Sequence, residues 1–276
     1  DPARDPEFFE SLIASGELDF ILMNRPLSVD YDYLHKLEEG RIDEIRPCTR
    51  CMHCHWDAAD DGNLTFSCRT NAAHPFRFVT GQLTGSYDPE PAATAKNVVV
   101  VGAGPAGLEA ARVAAERGHS VTLYEKKGSV GGLLEFANNV KGPHENLSVL
   151  RSYFERQMEV LGVNVMLNTE ATADIIAEAS PDIVIAATGG VRDTLGLSDT
   201  AGTKVVGIDD FMMADIAEEV VIVGSNVQAI DAAMYLLAQG KHVQVVTPNA
   251  ASAIGAGHSF WVKTFTQPNM KALGVR

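Results

Sequence analysis

The run Val98-Val-Val-Val101, followed by Gly102-Ala103-Gly104-Pro105-Ala106-Gly107, constrains this chain more than any other stretch. An unbroken β-branched run suits a parallel strand buried on both faces. The glycine turn opens a helix predicted from about Pro105 to Arg117 and closed by Gly118. The next strand is predicted over Val121–Glu125, so Glu125 ends it 18 residues past the last glycine. A lone G-x-G-x-x-G is a weak signal, but inside a complete strand–turn–helix–strand unit it is a dinucleotide-binding fingerprint. Gly102 permits the tight turn. Gly104 lets backbone approach a pyrophosphate lying on the positive helix N-terminus, and Gly107 lets helix and strand pack closely. Glu125 can accept the adenosine ribose hydroxyls.

The alternation continues with a helix near Glu145–Leu161 and strands at Asn164–Leu167 and Asp182–Ala186, which makes the chain α/β. Two further small-residue stretches stand out, Gly131-Gly132 and Ala187-Thr188-Gly189-Gly190. Alone either reads as a turn; after a dinucleotide fingerprint, both fit a flavoprotein whose backbone comes close to its cofactor.

The pattern then returns. A shift of 122 positions lands Val99 on Val221, Gly102 on Gly224, Ala110-Ala111 on Ala232-Ala233, Gly118 on Gly240 and Val121 on Val243. Val220–Val246 is thus a second strand–turn–helix–strand unit, a tandem pair rather than a solenoid array. The copy departs from the rule at three places. Asn226 stands where Gly104 does, Ala229 replaces Gly107 and Thr247 replaces Glu125. Asparagine lacks glycine's freedom and occupies space beside the pyrophosphate. Thr247 has no charge with which to bind ribose hydroxyls or repel a 2′-phosphate. Two readings stay open: a nicotinamide cofactor bound in an altered way, or a domain that has lost that ligand and is structural or holds another nucleotide.

Upstream lie all four cysteines, as Cys48-Thr-Arg-Cys51-Met-His-Cys54 followed by Cys68. No secretory leader is visible, so this spacing favours metal ligation in a reducing compartment, the cytoplasm, over disulfides. Iron–sulfur ligation needs thiolates on a short loop that wraps the cluster, whereas zinc ribbons usually show two separated C-x2-C pairs. Three cysteines in seven residues make a four-iron cluster the first reading, with a zinc site or a metal-free loop as alternatives. His53 and His55 can tune a cluster through hydrogen bonds, or stand as ordinary loop histidines; Trp56 reads as a hydrophobic lid. Residues 48–80 have few periodic apolar positions and need ligation to order them. A Pro/Ala-rich linker spans 88–97.

At the start, Pro6–Gly16 is predicted as a helix, Asp19–Met23 as a buried strand broken by Asn24-Arg25-Pro26, and Asp32–Glu39 as a helix closed by Gly40. These pieces cannot close a fold. They are either a cap on the following domain or the final αβ unit of a larger barrel. A net charge of −14 argues against nucleic acid or an anionic membrane as partner. No apolar run approaches the ~18 residues of a membrane span.

With cysteines, fingerprint and order in place, the chain resembles the C-terminal portion of the iron–sulfur flavoprotein branch of the old yellow enzyme family. That branch includes 2,4-dienoyl-CoA reductase, enoate reductases and trimethylamine dehydrogenase. The most telling stretch is Met23-Asn-Arg25-Pro-Leu with Gly40-Arg-Ile-Asp-Glu-Ile-Arg46-Pro-Cys48. The resemblance implies the end of an FMN-binding TIM barrel over 1–47 and a cysteine-rich cluster loop with linker over 48–93. Tandem Rossmann-like domains follow, FAD-binding over 94–205 and NAD(P)-binding over 206–276. It implies that Arg25 and the backbone of Asn24 bind the FMN phosphate, as at the last strands of such barrels; the family usually has Gly at 24. It implies that Cys48, Cys51, Cys54 and Cys68 ligate a [4Fe–4S] cluster. Glu125, Lys126, Gly132, Leu133, Lys141 and Ala171 then fall at FAD or ADP, with Ala187, Thr188 and Gly189 nearby, and Gly224 at the second nucleotide. Family members often carry Gln where Leu133 stands.

The implied reaction passes electrons from NAD(P)H through FAD and the cluster to FMN, which reduces an activated C=C bond of a small molecule. Thr247 leaves NADH against NADPH open. The x2–x2 cysteine spacing resembles trimethylamine dehydrogenase more closely. The alternative is therefore an amine dehydrogenase with ADP in the first site, sending electrons to an electron-transfer flavoprotein. A zinc- and nucleotide-binding subunit without catalysis is a third possibility. Most of the barrel would precede Asp1, and the second domain would run past Arg276. The chain is thus expected to be part of a larger polypeptide that forms a homo-oligomer, and not to turn over substrate alone.

Overall fold

In the computed structural model, which describes residues 5–55, 68–73, 89–142, 145–190, 196–200, 202–250 and 253–255, the valine run forms strand β1 (Asn97–Val101). Val98, Val99 and Val100 are fully buried. The chain divides into two units. The first takes in Asp1–Cys54, Thr65–Asn139 and Pro143–Gly189; the second takes in His55–Leu64, Val140–Gly142 and Gly190–Arg276.

The first unit is a parallel sheet. β1 pairs with β2 (Ser120–Tyr124) on one side and β4 (Ile183–Ala186) on the other, and β2 pairs with β3 (Asn164–Met166), giving the order β3-β2-β1-β4. The register sets Val98 against Val121 and Ile183, and Val101 against Tyr124 and Ala186. Three helices of the first half are α1 (Pro6–Ala14), α2 (Arg25–Val29) and α3 (Tyr33–Glu38). Two long helices serve the sheet, α4 (Pro105–Glu116) and α6 (Leu147–Val160); between them lies α5 (Leu134–Lys141) and after β3 the short α7 (Ala173–Glu178). Leu108 and Ala111 of α4 and Leu150, Phe154 and Met158 of α6 pack with Val98, Val100, Val121 and Leu123 in one apolar cluster. This is the usual logic of a helix stripe on a twisted sheet.

Because β2 and β3 extend the sheet one way from β1 and β4 the other, the chain reverses direction across β1. In open parallel sheets ligands bind at such a switch, beyond the carboxyl ends of the strands. The turn after β1 (Gly102–Gly107) and the turn after β4 (Ala187–Gly190) both stand there.

The second unit carries the repeat. β5 (Glu219–Val223) pairs in parallel with β6 (His242–Val246), and α8 (Val227–Ala238) buries Ala229, Ile230, Ala232, Ala233 and Leu236. Phe211 meets Tyr235 edge-on at 5.8 Å, a favoured aromatic geometry.

One predicted element does not form. Asp19–Met23 was expected as a buried strand, but this stretch holds no strand, and Phe20 and Leu22 stand 77% and 91% exposed. A strand exists only by pairing with another. Asn24-Arg25-Pro26 ends the run as expected, yet it does so by starting α2, with Pro26 at the helix start. Among the described residues no helix is long and apolar enough to cross a membrane.

Candidate functional site

The fingerprint glycines fall into two classes once their surroundings are measured. A Cβ at Gly102 would lie 2.4 Å from the Ala187 carbonyl oxygen, and one at Gly107 would lie 1.9 Å from the Gly102 carbonyl oxygen. Both clashes are with backbone, so the fold itself excludes any side chain there. Gly104 is different. A Cβ on it meets nothing within 4 Å. It is the N-cap of α4, no side chain caps the helix, and Pro105 and Ala106 are exposed. The first turn of an α-helix presents N–H groups without intrahelical partners and the positive end of the dipole. Packing does not explain this glycine. The bare helix end leaves room for an anion to approach.

Gly131 and Gly132 are more than a loose turn. Both have left-handed backbone, the Gly131 N–H donates to the Ala103 carbonyl at 2.8 Å, and a Cβ on Gly132 would reach 2.9 Å from Gly104 Cα. This turn therefore lies against the fingerprint. On the other side, the Ala187 N–H donates to the Val101 carbonyl at 2.8 Å. Thr188 and Gly189 follow, exposed, with Gly189 in the left-handed region.

Glu125 sits one residue past β2 and is buried. Its Oε2 accepts the Ala103 N–H at 2.8 Å and its Oε1 accepts the Lys127 N–H at 2.9 Å. The carboxylate thus braces the glycine turn as well as facing it. Each oxygen has a second lone pair for a ribose hydroxyl. After β3, the Thr169 N–H donates to the Glu125 carbonyl at 2.9 Å, which brings Ala171 to this end of the sheet. Lys126 and Leu133 are exposed. Lys141 is committed elsewhere: its Nζ is 2.7 Å from Asp231 Oδ2, with both side chains largely buried.

In the second unit the corresponding turn is filled. Asn226 has the same backbone as Gly104, φ −75° and ψ 179° against φ −73° and ψ 176°, but its side-chain oxygen accepts the Ala229 N–H at 3.0 Å. It caps its own helix where Gly104 leaves the end open. Gly224 keeps a positive φ of 127°, and a Cβ on it would lie an ordinary 3.8 Å from the Ala229 methyl. In place of the brace by Glu125, Ser225 and Thr247 share a hydroxyl–hydroxyl bond at 3.0 Å, and Asn249 Nδ2 donates to Ser225 Oγ at 3.2 Å.

All four cysteines are half-buried and none forms a disulfide. Burial pushes the thiols of Cys48 and Cys54 above their ordinary range, and Cys51 and Cys68 raise both further, so the four lie within one another's field. Among the described residues, however, no three cysteine, histidine or acidic side chains converge tightly enough to hold one metal ion. Two residues between the cysteines, Arg50 and Met52, have left-handed backbone, φ 58° and 56°. That is uncommon for such residues and marks functional loops. Arg25 reaches this loop, with Nη1 3.8 Å from Met52 Sδ, while Asn24 is the exposed N-cap of α2. Trp56, expected as a lid, lies outside the described residues.

Sequence reasoning missed one polar cluster. Arg46, two residues before Cys48, pairs with Glu109 of α4 at 3.3 Å and stacks over Tyr153 of α6. Burial alone would raise the Glu109 pKa, but Arg112 and Arg46 outweigh it and hold the carboxyl below its ordinary value. These residues are 63 or more positions from Arg46, and no local pattern links them.

Comparison with known proteins now has a geometry to stand on. Residues 96–276 match the pyridine nucleotide-disulphide oxidoreductase family. The chain is 36% identical over 249 residues to the NADH oxidase of Thermoanaerobacter brockii, covering 88% of this chain and 37% of that protein. It is 35% identical over 245 residues to the cinnamate reductase of Clostridium sporogenes, covering 88% and 35%. A solved 2-naphthoyl-CoA reductase, in complex with 2-naphthoyl-CoA, superposes with a TM-score of 0.76 at 31% identity, over 98% of this chain and 40% of that one. The chain spans little more than a third of the length of the curated relatives it matches. It belongs to the pyridine nucleotide-disulphide oxidoreductase family, and within it to the C-terminal region of the iron–sulfur flavoproteins of the old yellow enzyme type.

Proposed function

We propose that the chain is the electron-handling part of an NAD(P)H-dependent flavin oxidoreductase that reduces an activated C=C bond. The observation that carries this reading is the open end of α4 at Gly104, with Glu125 beside it and the cysteine loop fastened to the same helix. FAD would be held here, its pyrophosphate by the helix end and its adenosine ribose by Glu125, with the backbone of Gly132, Ala187 and Thr188 available to its flavin half. Cys48, Cys51, Cys54 and Cys68 would hold a [4Fe–4S] cluster. A single zinc ion would draw its sulfurs to ~2.3 Å from one centre, whereas a cube of iron and sulfide spreads its thiolates. Three cysteines within seven residues, Cys48 to Cys54, support the cube. Arg25, at the edge of the loop, would meet the phosphate of an FMN carried mostly by a TIM barrel, whose last elements are residues 1–47. The exposed Phe20 and Leu22 suit a surface that the rest of the polypeptide covers. The second unit takes the place of the NAD(P)-binding domain, and the assembly is a homo-oligomer in the cytoplasm.

When bound, the flavins and the cluster supply the hydride and single-electron chemistry. The residues of this chain would bind and orient them: the helix end would hold negative charge, Glu125 would fix the ribose, and the four thiolates would ligate iron. The buried walls of the loop raise the thiols' affinity for protons, so ligation competes with protonation.

A second reading is favoured by Asn226. A capped helix end suits a second unit without nicotinamide. That fits an amine dehydrogenase with ADP in the first site, delivering electrons to an electron-transfer flavoprotein, the direction to which the x2–x2 cysteine spacing also inclines. Release of the bound nucleotide by acid separates the two, FAD for the reductase and ADP for the dehydrogenase. Iron and sulfide analysis tests both at once. In the full-length protein, Cys54→Ser is expected to abolish the broad visible iron–sulfur absorbance; unchanged absorbance and iron content would sink the assignment.

A further inference from the structure

Arg46 touches three parts of the first unit with one buried guanidinium, its side chain 7% exposed. Nη1 donates to the Thr70 carbonyl and to Glu109 Oε2, and Nη2 donates to both oxygens of Glu109 at 3.3 Å. The group lies over the Tyr153 ring, 5.1 Å from its centroid, in cation–π range. The Arg46 backbone N–H donates to Asp30 Oδ2 at 2.7 Å, and the same oxygen takes the Lys36 ammonium at 2.8 Å. Arg112 holds Glu109 from the other side with two bonds of 2.9 Å.

The placement of these partners is what matters. Arg46 precedes the first cysteine by two residues, and Thr70 follows the last by two. Glu109 is in the second turn of α4, the helix whose N-terminus forms the nucleotide pocket. We infer that Arg46 is a positioning residue: it clamps both ends of the cysteine set to the nucleotide-binding helix, so that ordering at one site is felt at the other. The inference rests on the reading of the two sites given above. Holding the Thr70 carbonyl and both oxygens of Glu109 while lying over an aromatic ring calls for the planar, many-donor fork of arginine; a lysine ammonium is a point charge and cannot hold them together. Breaking such a buried pair from one side leaves an uncompensated charge, so the clamp resists partial opening. Asn71, which donates to the Val29 carbonyl at 2.9 Å, ties the same turn to the segment ahead of the cysteines but not to α4. Arg46 thus supplies the link between loop and helix. Electron transfer falls off exponentially with distance, so a fixed separation of the two sites is what a relay requires.

The test uses the full-length protein, stripped of nucleotide, with ADP as probe and amide hydrogen exchange as readout. In the wild type, ADP is expected to slow exchange across residues 68–73 at least threefold, although these residues lie beside Cys68 and not in the nucleotide pocket. In Arg46→Lys the ADP affinity should stay within twofold while that protection vanishes, and a chelator should strip iron at least tenfold faster. Glu109→Gln should lose the same protection, and the double variant should be no worse than either single one, because both act on one link. If Arg46→Lys fails to fold, Glu109→Gln decides alone. Protection of 68–73 by ADP that survives Glu109→Gln or Arg46→Lys overturns the inference, as does its absence in the wild type. A wild-type protein without iron or sulfide sinks the cluster reading instead, while the exchange data still decide on Arg46.

Discussion

The two copies of the strand–turn–helix–strand motif share a backbone and differ in what fills the turn. At Gly104 and Asn226 the main chain agrees within 3° in both dihedrals, yet one helix end is bare and the other is closed by its own residue. In the first copy a buried carboxylate, Glu125, braces the turn through the Ala103 N–H. In the second, neutral hydroxyls of Ser225 and Thr247 do so through each other. The first copy is thus built around charge, a positive helix end and an acidic partner. The second satisfies its polar groups internally. Fold and ligand site are separable: the same topology serves both copies, and a few side chains decide whether the helix end is left bare or capped.

The largest expected effect probes the backbone the copies share. Gly107→Ala forces a methyl onto the Gly102 carbonyl at 1.9 Å, and should cost on the order of 3 kcal/mol or more in urea denaturation. The reciprocal Ala229→Gly should cost only ~1 kcal/mol, the helix propensity difference. Equal losses would break the comparison. Next comes a titration particular to the first unit. Burial pushes the Tyr153 hydroxyl up from 10.0 to about 12, against the lowering effect of Arg46 and Arg112. A raised pKa means that the folded state holds its proton more tightly than the unfolded state. The stability is therefore complete below pH 10 and lost as pH climbs toward 12. The loss should be roughly 2–3 kcal/mol, and Tyr153→Phe should remove that pH dependence. Smaller still is Gly104→Ala. No described residue stands in the way of this methyl, so stability should change by no more than ~0.5 kcal/mol. ADP affinity should fall about tenfold, or ~1.4 kcal/mol, by calorimetry. Asn226→Gly should cost only a few tenths of a kcal/mol in cap energy while admitting ADP to the second unit; no gain in binding would show that more than Asn226 closes it.

The elements of the first unit were legible because each is written locally. Val98–Val101 carries its own burial pattern, Pro105 and Gly118 bracket their helix, and the 122-residue shift revealed β5, α8 and β6. What failed was whatever depends on distant partners. The run at Asp19–Met23 has strand composition but nothing beside it to pair with. Glu125 was expected to face a ribose, and sequence could not tell that its oxygens also hold the turn. The ammonium of Lys141, expected at the flavin, is paired with Asp231, and Arg46 with Glu109, across separations of 90 and 63 positions. No periodicity records such pairs, because they arise only when the chain closes.

On the second reading, in which the second unit binds no nicotinamide, Asn226 also makes that loss a one-way step. A glycine at a helix end is kept only while an anion needs the space. Once the need lapses, substitution by asparagine adds a side-chain cap that stabilises the helix by a few tenths of a kcal/mol over glycine. Selection for stability alone then favours the closed form, and reopening it must be driven against that gradient. A duplicated nucleotide fold will drift toward self-capping, and its vacant sites will be found already occupied by the protein's own side chains.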